Sequence, residues 1–181
     1  MIDLTRRKRK KISISEINFN STIKRSLESL SSLDSAYRLT VNKELDESYP
    51  FYSDQEQIDI LFNNIISNAI KHQHSYEMNP KLEIHVTVES GKSVILFKDN
   101  GIGIPSDELR IIFDMFYRGK KVKSEGSGLG LYVVKEVIKK LKGKIYVDSE
   151  LGEGSQFVIE LPNKIDPDLL RKLEKLKRNA D

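Results

Sequence analysis

The sequence predicts an α+β fold, a two-layer α/β sandwich, from three observations. First, strand-like segments come in pairs across short turns: LEIHVTV (82–88) with SVILFKD (93–99), and Lys144–Ser149 with Ser155–Leu161. Short turns join antiparallel neighbours, whereas a doubly wound parallel sheet needs a crossover between successive strands. Second, the helical segments fall between these hairpins rather than inside them. Third, the clearest helix, 54–72, is amphipathic, so it has one face to bury against a sheet.

The elements follow in order. A basic run, Arg6 to Lys11, opens the chain and reads as a solvated linker. ISISEINF (12–19) places Ile12, Ile14 and Ile17 in loose alternation and predicts a first strand. Ile23, Leu27, Leu30 and Leu33 stand at helical spacing and predict a helix over 20–33. YRLTVNKEL (37–45) alternates again and predicts a strand. In 54–72, Ile58, Leu61, Phe62, Ile65, Ile66, Ala69 and Ile70 follow the i, i+3, i+4, i+7 rule, with Asp54 as N-cap and Gln57 as its capping-box partner. The first hairpin turns at Glu89-Ser90-Gly91-Lys92. Pro105 predicts the start of a short helix, because its fixed φ suits a first helical position. Residues 117–127 are polar, aperiodic and bounded by Gly119 and Gly126, and predict a lid. A helix from about Leu129 to Leu141 stops at Gly143, and the second hairpin turns at Leu151-Gly152-Glu153-Gly154. The tail, Asp166–Asp181, carries Leu169, Leu173 and Leu176 on one face and predicts a final amphipathic helix. The expected organisation is a basic linker over 1–11, one domain over 12–162, and a C-terminal helix within 163–181.

Composition narrows the function classes. With 181 residues, 38% hydrophobic and 31% charged, the chain reads as one globular domain with short extensions. Thirty basic against 27 acidic residues give a net charge of +3, which provides no global argument for nucleic-acid binding. The absence of cysteine excludes disulfides and thiolate metal sites and fits a cytoplasmic setting. No apolar run is long enough to span a bilayer, and no apolar core of a signal peptide follows the charged N-terminus.

Three segments carry the polar chemistry. On the 54–72 helix, Asn64, Asn68 and Lys71 stand at i, i+4 and i+7 and flank the apolar stripe, with Ile60 on the same row. Such a row is often merely solvated. Alternatively, an Asn carbonyl can meet Mg²⁺, which prefers oxygen ligands and substrate phosphates, while Lys71 meets phosphate. In DNGIGI (99–104), Asp99 shares parity with Ile95 and Phe97, so its carboxylate points to the interior side and needs donors there. An adenine exocyclic amine is such a donor, and Gly101 and Gly103 allow backbone to approach a flat ring. The alternative is a simple strand-exit turn. In EGSGLGLYVVKEV (125–137), Gly126, Gly128 and Gly130 lead into a helix, whose N-terminal amides form an anion site. The segment is neither a Rossmann fingerprint nor a Walker A loop, since no strand precedes it and no Gly-x-x-x-x-Gly-Lys-Ser/Thr occurs.

Taken together, NNIISNAIKH, DNGIGIP, FDMFYRG, GSGLGL and GEGSQFVIELP resemble, in order and spacing over roughly residues 12–162, the N, G1, F and G2 boxes of sensor histidine kinases. The resemblance implies a Bergerat fold, shared with gyrase- and chaperone-type ATPases: a mixed, mostly antiparallel sheet under helices on one face, with ATP held between helices and a lid. It implies that Asn68 binds Mg²⁺, that Lys71 contacts phosphate, and that Asp99 reads adenine beside Gly101 and Gly103. It further implies a γ-phosphate contact for Arg118, a phosphate-binding hinge at Gly126, Ser127, Gly128, Leu129 and Gly130, and a place for Ser155 near an adenine-bound water. Phe113 and Phe116 match lid-packing aromatics, or serve simply as core, and His72 falls where many relatives carry an aromatic or basic group. Where gyrase- and chaperone-type relatives carry a Glu base, this chain has Asn64, which has no ionisable base, so efficient hydrolysis of ATP is not expected.

The implied activity is transfer of the γ-phosphate of ATP to a histidine on a separate dimerisation hairpin. A response-regulator receiver domain would be the onward partner, and the full-length protein would be a homodimer, cytoplasmic or the cytoplasmic part of a membrane-bound sensor. Nothing in the chain resembles the acceptor hairpin, and MIDLTRRKRKK resembles the end of one followed by its linker. His72 and His74 lie at the end of the nucleotide-site helix, while His85 sits on a strand at the exposed parity. A serine-directed kinase of the anti-sigma type and a non-catalytic nucleotide-gated module share the fold. The linker-like start favours the histidine kinase over the first, and intact Asn68, Lys71, Asp99 and glycines weigh against the second.

Overall fold

The structure, a computed structural model, describes residues 12–33, 35–73, 79–119 and 127–178. Its strands are β1 (Ile14–Ile17), β2 (Thr40–Asp46), β3 (Phe51–Asp54), β4 (Lys81–Val88), β5 (Lys92–Asp99), β6 (Lys144–Glu150) and β7 (Gly154–Pro162). Its helices are α1 (Phe19–Leu30), α2 (Gln55–Lys71), α3 (Gly130–Leu141) and α4 (Pro167–Arg178). The main sheet runs β2-β4-β5-β7-β6, and only the β2–β4 pair is parallel. A two-stranded sheet, β1-β3, lies apart from it. This is the α+β sandwich that the hairpins predict, with the mixed, mostly antiparallel sheet that the resemblance implies.

Strand alternation decides the two faces of the sheet. Leu82, Ile84, Val86 and Val88 of β4 are buried, as are Ile95 and Phe97 of β5 and Phe157, Ile159 and Leu161 of β7. They form one core with Ile58, Leu61, Phe62, Ile65 and Ile66 of α2, Ile23 of α1 and Val134, Val137 and Ile138 of α3. A chain of rings threads this core: Phe19 stacks on Phe51 at 5.4 Å, and Phe62 meets Phe97 edge-on at 5.0 Å. Burying side chains of this size stabilises by about 1.5–3 kcal/mol each, so the core fixes where α2 lies over the sheet. The opposite parity faces outward, and there His85 pairs with Glu44 at 3.1 Å with 41% of its side chain exposed.

Local signals place α2 closely. The Asp54 carboxylate accepts the Gln57 N–H at 3.1 Å, capping the helix. Its second oxygen accepts the Ser13 N–H at 3.0 Å, which ties the start of β1 to the same residue.

Four expectations are corrected. Residues 51–54, not marked as a strand by alternation, form β3, because β1 supplies an antiparallel partner. The helix expected from Pro105 is absent: residues 106–116 form successive turns and a bend, with Glu108 N–H donating to the Pro105 carbonyl and Ile111 and Ile112 N–H to the Glu108 carbonyl. The one i, i+4 bond among them, from the Ile112 N–H to the Glu108 carbonyl, is too little to offset helix nucleation. Residues 37–38 belong to a short 3₁₀ turn, Ala36–Arg38, and the strand begins at Thr40. Finally, the left-handed residue that ends α3 is Lys142, at φ 61°, not Gly143. Gly143 is needed for close approach, since a Cβ there would lie 2.5 Å from the Glu160 carbonyl.

The tail helix forms as α4, anchored at its start by Asp166, whose carboxylate accepts the Asp168 and Leu169 N–H groups. Leu169 and Leu173 are half-buried, while Leu176 is exposed. The N-terminal basic run and most of the 117–127 segment lie outside the described residues.

Candidate functional site

One cavity, of about 570 Å³, opens between α2, the segment 99–105, the turns over 108–118 and the N-terminus of α3. Asn64, Asn68, Lys71, His72, Asp99, Gly103, Arg118, Ser127, Gly128, Leu129, Gly130 and Ser155 line it. Residues from five separate stretches of chain thus meet at one place. Gly101 sits just behind the wall, and Gly126 and His74 lie outside the described residues.

The phosphate-like end is built by two helices. The N-cap residue of α3, Leu129, gives no side-chain cap, so the first-turn amides keep donor capacity and the helix dipole places positive charge there. Asn64 and Asn68 face this terminus from one turn to the next of α2: a Cβ on Gly130 would lie 3.3 Å from Asn64 Oδ1 and 3.4 Å from Asn68 Oδ1. Asn64 is locked in that pose because its amide N–H donates to the Ile60 carbonyl at 2.7 Å, leaving its oxygen turned outward. The flank of α2 that Ile60 shares is therefore covered by α3. Two amide oxygens beside orphan helix amides and the Lys71 ammonium make a pocket for phosphate and its hard cation. The donor set fits Mg²⁺ with one or two protein oxygens and the rest supplied by water and phosphate.

The opposite end is built on β5 and β7. Asp99 projects into the cavity from the last position of β5, as its parity predicts. Burial pushes its carboxyl upward, while backbone N–H groups of Gly101, at 2.9 Å, and Ser155 hold it back toward the ionised form. The glycines of this loop also meet a packing requirement that the sequence did not announce. A Cβ on Gly101 would strike the His72 carbonyl and Asp99 Oδ1, and one on Gly103, at φ 67°, would strike the Glu150 carbonyl. The protein's own close packing thus already requires a glycine at both positions. His72 ends α2 as its C-cap; its carbonyl accepts the Ile102 N–H at 3.0 Å. Its imidazole is pushed down by burial and by the Lys71 charge, which favours the neutral ring.

Several lining residues carried no sequence signal. Glu108 is 6% exposed, and Tyr117 stands beside it in the wall. The Tyr117 hydroxyl is closed off without a hydrogen bond of good geometry, and burial with the Glu108 and Asp107 carboxylates pushes it up to about 12. Phe116, one of the two expected lid aromatics, is 65% exposed and held at φ 64°, whereas Phe113 is half-buried against the core. Gly128, at φ 69°, packs on the Phe116 and Tyr117 backbone, so the two ends of the 117–127 segment meet. Ser149, not itself in the wall, bonds three groups of the base-like end. Its one legible signal was a polar residue on the inward parity of Ile145 and Val147.

Among known proteins, residues 53–165 match the model of the family described as histidine kinase-, DNA gyrase B-, and HSP90-like ATPase. The chain is 36% identical over 141 residues to the autoinducer 2 sensor kinase/phosphatase LuxQ of Vibrio harveyi, covering 75% of this chain and 16% of that protein. It is 36% identical over 130 residues to the sensor protein RprX of Bacteroides fragilis, covering 70% of this chain and 25% of that protein. The chain therefore spans a quarter or less of these two relatives. The mycobacterial sensor histidine kinase MprB shares the fold, with a TM-score of 0.69 at 23% identity over 86% of this chain and all of that one. Among the described residues no helix is long and apolar enough to cross a membrane. With its two asparagines on α2, its aspartate at the end of β5 and its glycine-led α3 around one cavity, the chain belongs to the histidine kinase-, DNA gyrase B- and HSP90-like ATPase family, as an ATP-binding domain of the sensor histidine kinase type.

Proposed function

We propose that this domain holds Mg²⁺·ATP and presents its γ-phosphate to a histidine on a separate dimerisation hairpin, from which a response-regulator receiver domain is served. The observation that carries this reading is the convergence of Asn64 and Asn68 oxygens on the uncapped N-terminus of α3, with Lys71 on the same α2 row and Asp99 across the cavity. Bound Mg²⁺ would neutralise phosphate charge and draw electrons from the transferring group. Asn68, with Asn64 beside it, would hold it. Lys71 and Arg118 would screen the remaining charge, and the α3 amides, with Ser127, Gly128, Leu129 and Gly130, would orient the phosphates. Asp99 would take the base amine, with Gly101, Gly103 and Ser155 shaping that end and His72 closing the side wall.

The residues present also argue for transfer over hydrolysis. Asn64 cannot remove a proton from water. Transfer needs a nucleophile about 3 Å from phosphorus and in line with the leaving oxygen. His72 is fixed at the C-cap of α2, and His85 lies on the outer face of the sheet. The acceptor is accordingly supplied from outside the described residues, in a full-length protein that acts as a homodimer. Incubation with γ-labelled ATP and Mg²⁺ should leave the chain unlabelled, and adding the dimerisation hairpin of a sensor kinase should give acid-labile label on that hairpin's histidine. Stable acid-labile label on this chain alone would refute the proposal.

A further inference from the structure

Across three strands, Asp99 of β5, Ser155 of β7 and Ser149 of β6 lie in one row: Asp99 registers with Ser155, and Ser155 with Ser149. Asp99 and Ser155 line the cavity, whereas Ser149 stands behind them. We propose that Ser149 is a positioning residue that sets the hydrogen-bond polarity of the base end, by holding the Ser155 proton and leaving Ser155 able only to accept from a ligand. This rests on the reading of the cavity as a nucleotide site.

The inference follows from counting protons. A serine hydroxyl has one proton and two lone pairs. Ser149 Oγ lies 2.7 Å from the Gly154 carbonyl, which can only accept, so the Ser149 proton is committed there. Ser149 Oγ accepts the Ile104 N–H at 2.8 Å with one lone pair. Its remaining contact is Ser155 Oγ at 3.0 Å, and with the Ser149 proton spent, Ser155 must be the donor. Ser149 is then saturated, and the Ser155 proton points away from the cavity. Asp99 already accepts from the Gly101 and Ser155 backbone, and as a carboxylate it has only acceptor capacity left. The Asp99–Ser155 pair therefore offers two acceptors and no side-chain donor. An exocyclic amine satisfies both. A purine carbonyl in the same place leaves acceptors face to face. Without Ser149, the Ser155 hydroxyl is free to rotate and donate into the cavity, which would admit that carbonyl. If Ser149 only braces Ile104 and Gly154, its loss would weaken all purine nucleotides alike.

The test is titration calorimetry of the full chain with ATP and with inosine triphosphate, which carries a carbonyl where ATP carries the amine. Ser149→Ala should lower the ATP-to-inosine-triphosphate affinity ratio about five- to tenfold, the size of one buried hydrogen bond. Ser149→Thr, which keeps the hydroxyl, should restore the parent ratio. In a Ser155→Ala background, Ser149→Ala should leave the ratio where it is, because the proton at issue is gone. An unchanged ratio in folded Ser149→Ala, or the same change with and without Ser155, overturns the proposal. Should Ser149→Ala not fold, Ser155→Ala alone decides: ATP weakened more than inosine triphosphate supports an acceptor, and the reverse overturns it. Failure of the parent chain to bind either nucleotide overturns the nucleotide reading and this inference with it.

Discussion

Replacing Asp99 with asparagine separates binding from folding. The carboxylate is buried and pushed upward, and Gly101 and Ser155 donate to it from the backbone. Asparagine keeps one oxygen for those donors but turns an NH₂ toward whatever occupied the other acceptor site. Losing a charged acceptor to a buried amine costs about 1.5–3 kcal/mol, or roughly 10- to 150-fold in affinity. With ATP at about 100 times the parent dissociation constant, the parent gains about 2.7 kcal/mol of stability. A variant weakened about 100-fold would gain only about 0.4 kcal/mol under the same conditions. At about 2–4 °C per kcal/mol for a domain of this size, protection falls from about 5–10 °C to about 1–2 °C. Ligand-free stability moves the other way. A carboxyl raised above its ordinary value binds more protons in the native state than in the unfolded one between the two values. Its contribution is therefore present at low pH and lost as pH rises through the raised value. At neutral pH ionised Asp99 is a burden on the empty domain, and Asp99→Asn should leave Tm equal or higher. Thermal shift with and without Mg²⁺·ATP reads both effects. Equal protection in variant and parent, or a drop of several degrees without nucleotide, would refute the reasoning.

Two further outcomes follow from the site. His72 is held below its ordinary value, so the unfolded chain takes up its proton first; stability from this residue is full above about pH 6.5 and declines as pH falls toward the lowered native value. His72→Phe should flatten that acid slope in denaturant melts, and an identical slope would exclude His72 as its source. Gly130→Ala gains about 1 kcal/mol of helix propensity at most but sets a Cβ 3.3–3.4 Å from the Asn64 and Asn68 oxygens. Tm should change little while ATP affinity falls about tenfold, and unchanged affinity by calorimetry would show that those oxygens do not face the ligand.

Much of this protein was legible in its sequence. The 3.6-residue spacing of Ile58 through Ile70 defines α2, and the same periodicity places Asn64, Asn68 and Lys71 on one row beside the buried stripe. Two-residue alternation defines β4, β5 and β7 and aims Asp99 inward with Ile95 and Phe97. These are properties of neighbours within one element, where residue spacing alone fixes direction. Tertiary structure decided what depends on partners distant in sequence. β3 exists because β1 pairs with it, and the turns over 106–116 replace a helix because no second turn of bonds forms. Gly101, Gly103 and Gly143 are small because the His72, Glu150 and Glu160 carbonyls press on them, contacts that no local pattern announces. Ser149 reads as one polar residue on an edge strand, and its hold on Ile104, Gly154 and Ser155 arises only when β6, β7 and the 99–105 segment meet. Periodicity records which way a side chain points, whereas the proton it holds is set by the atoms that folding brings against it.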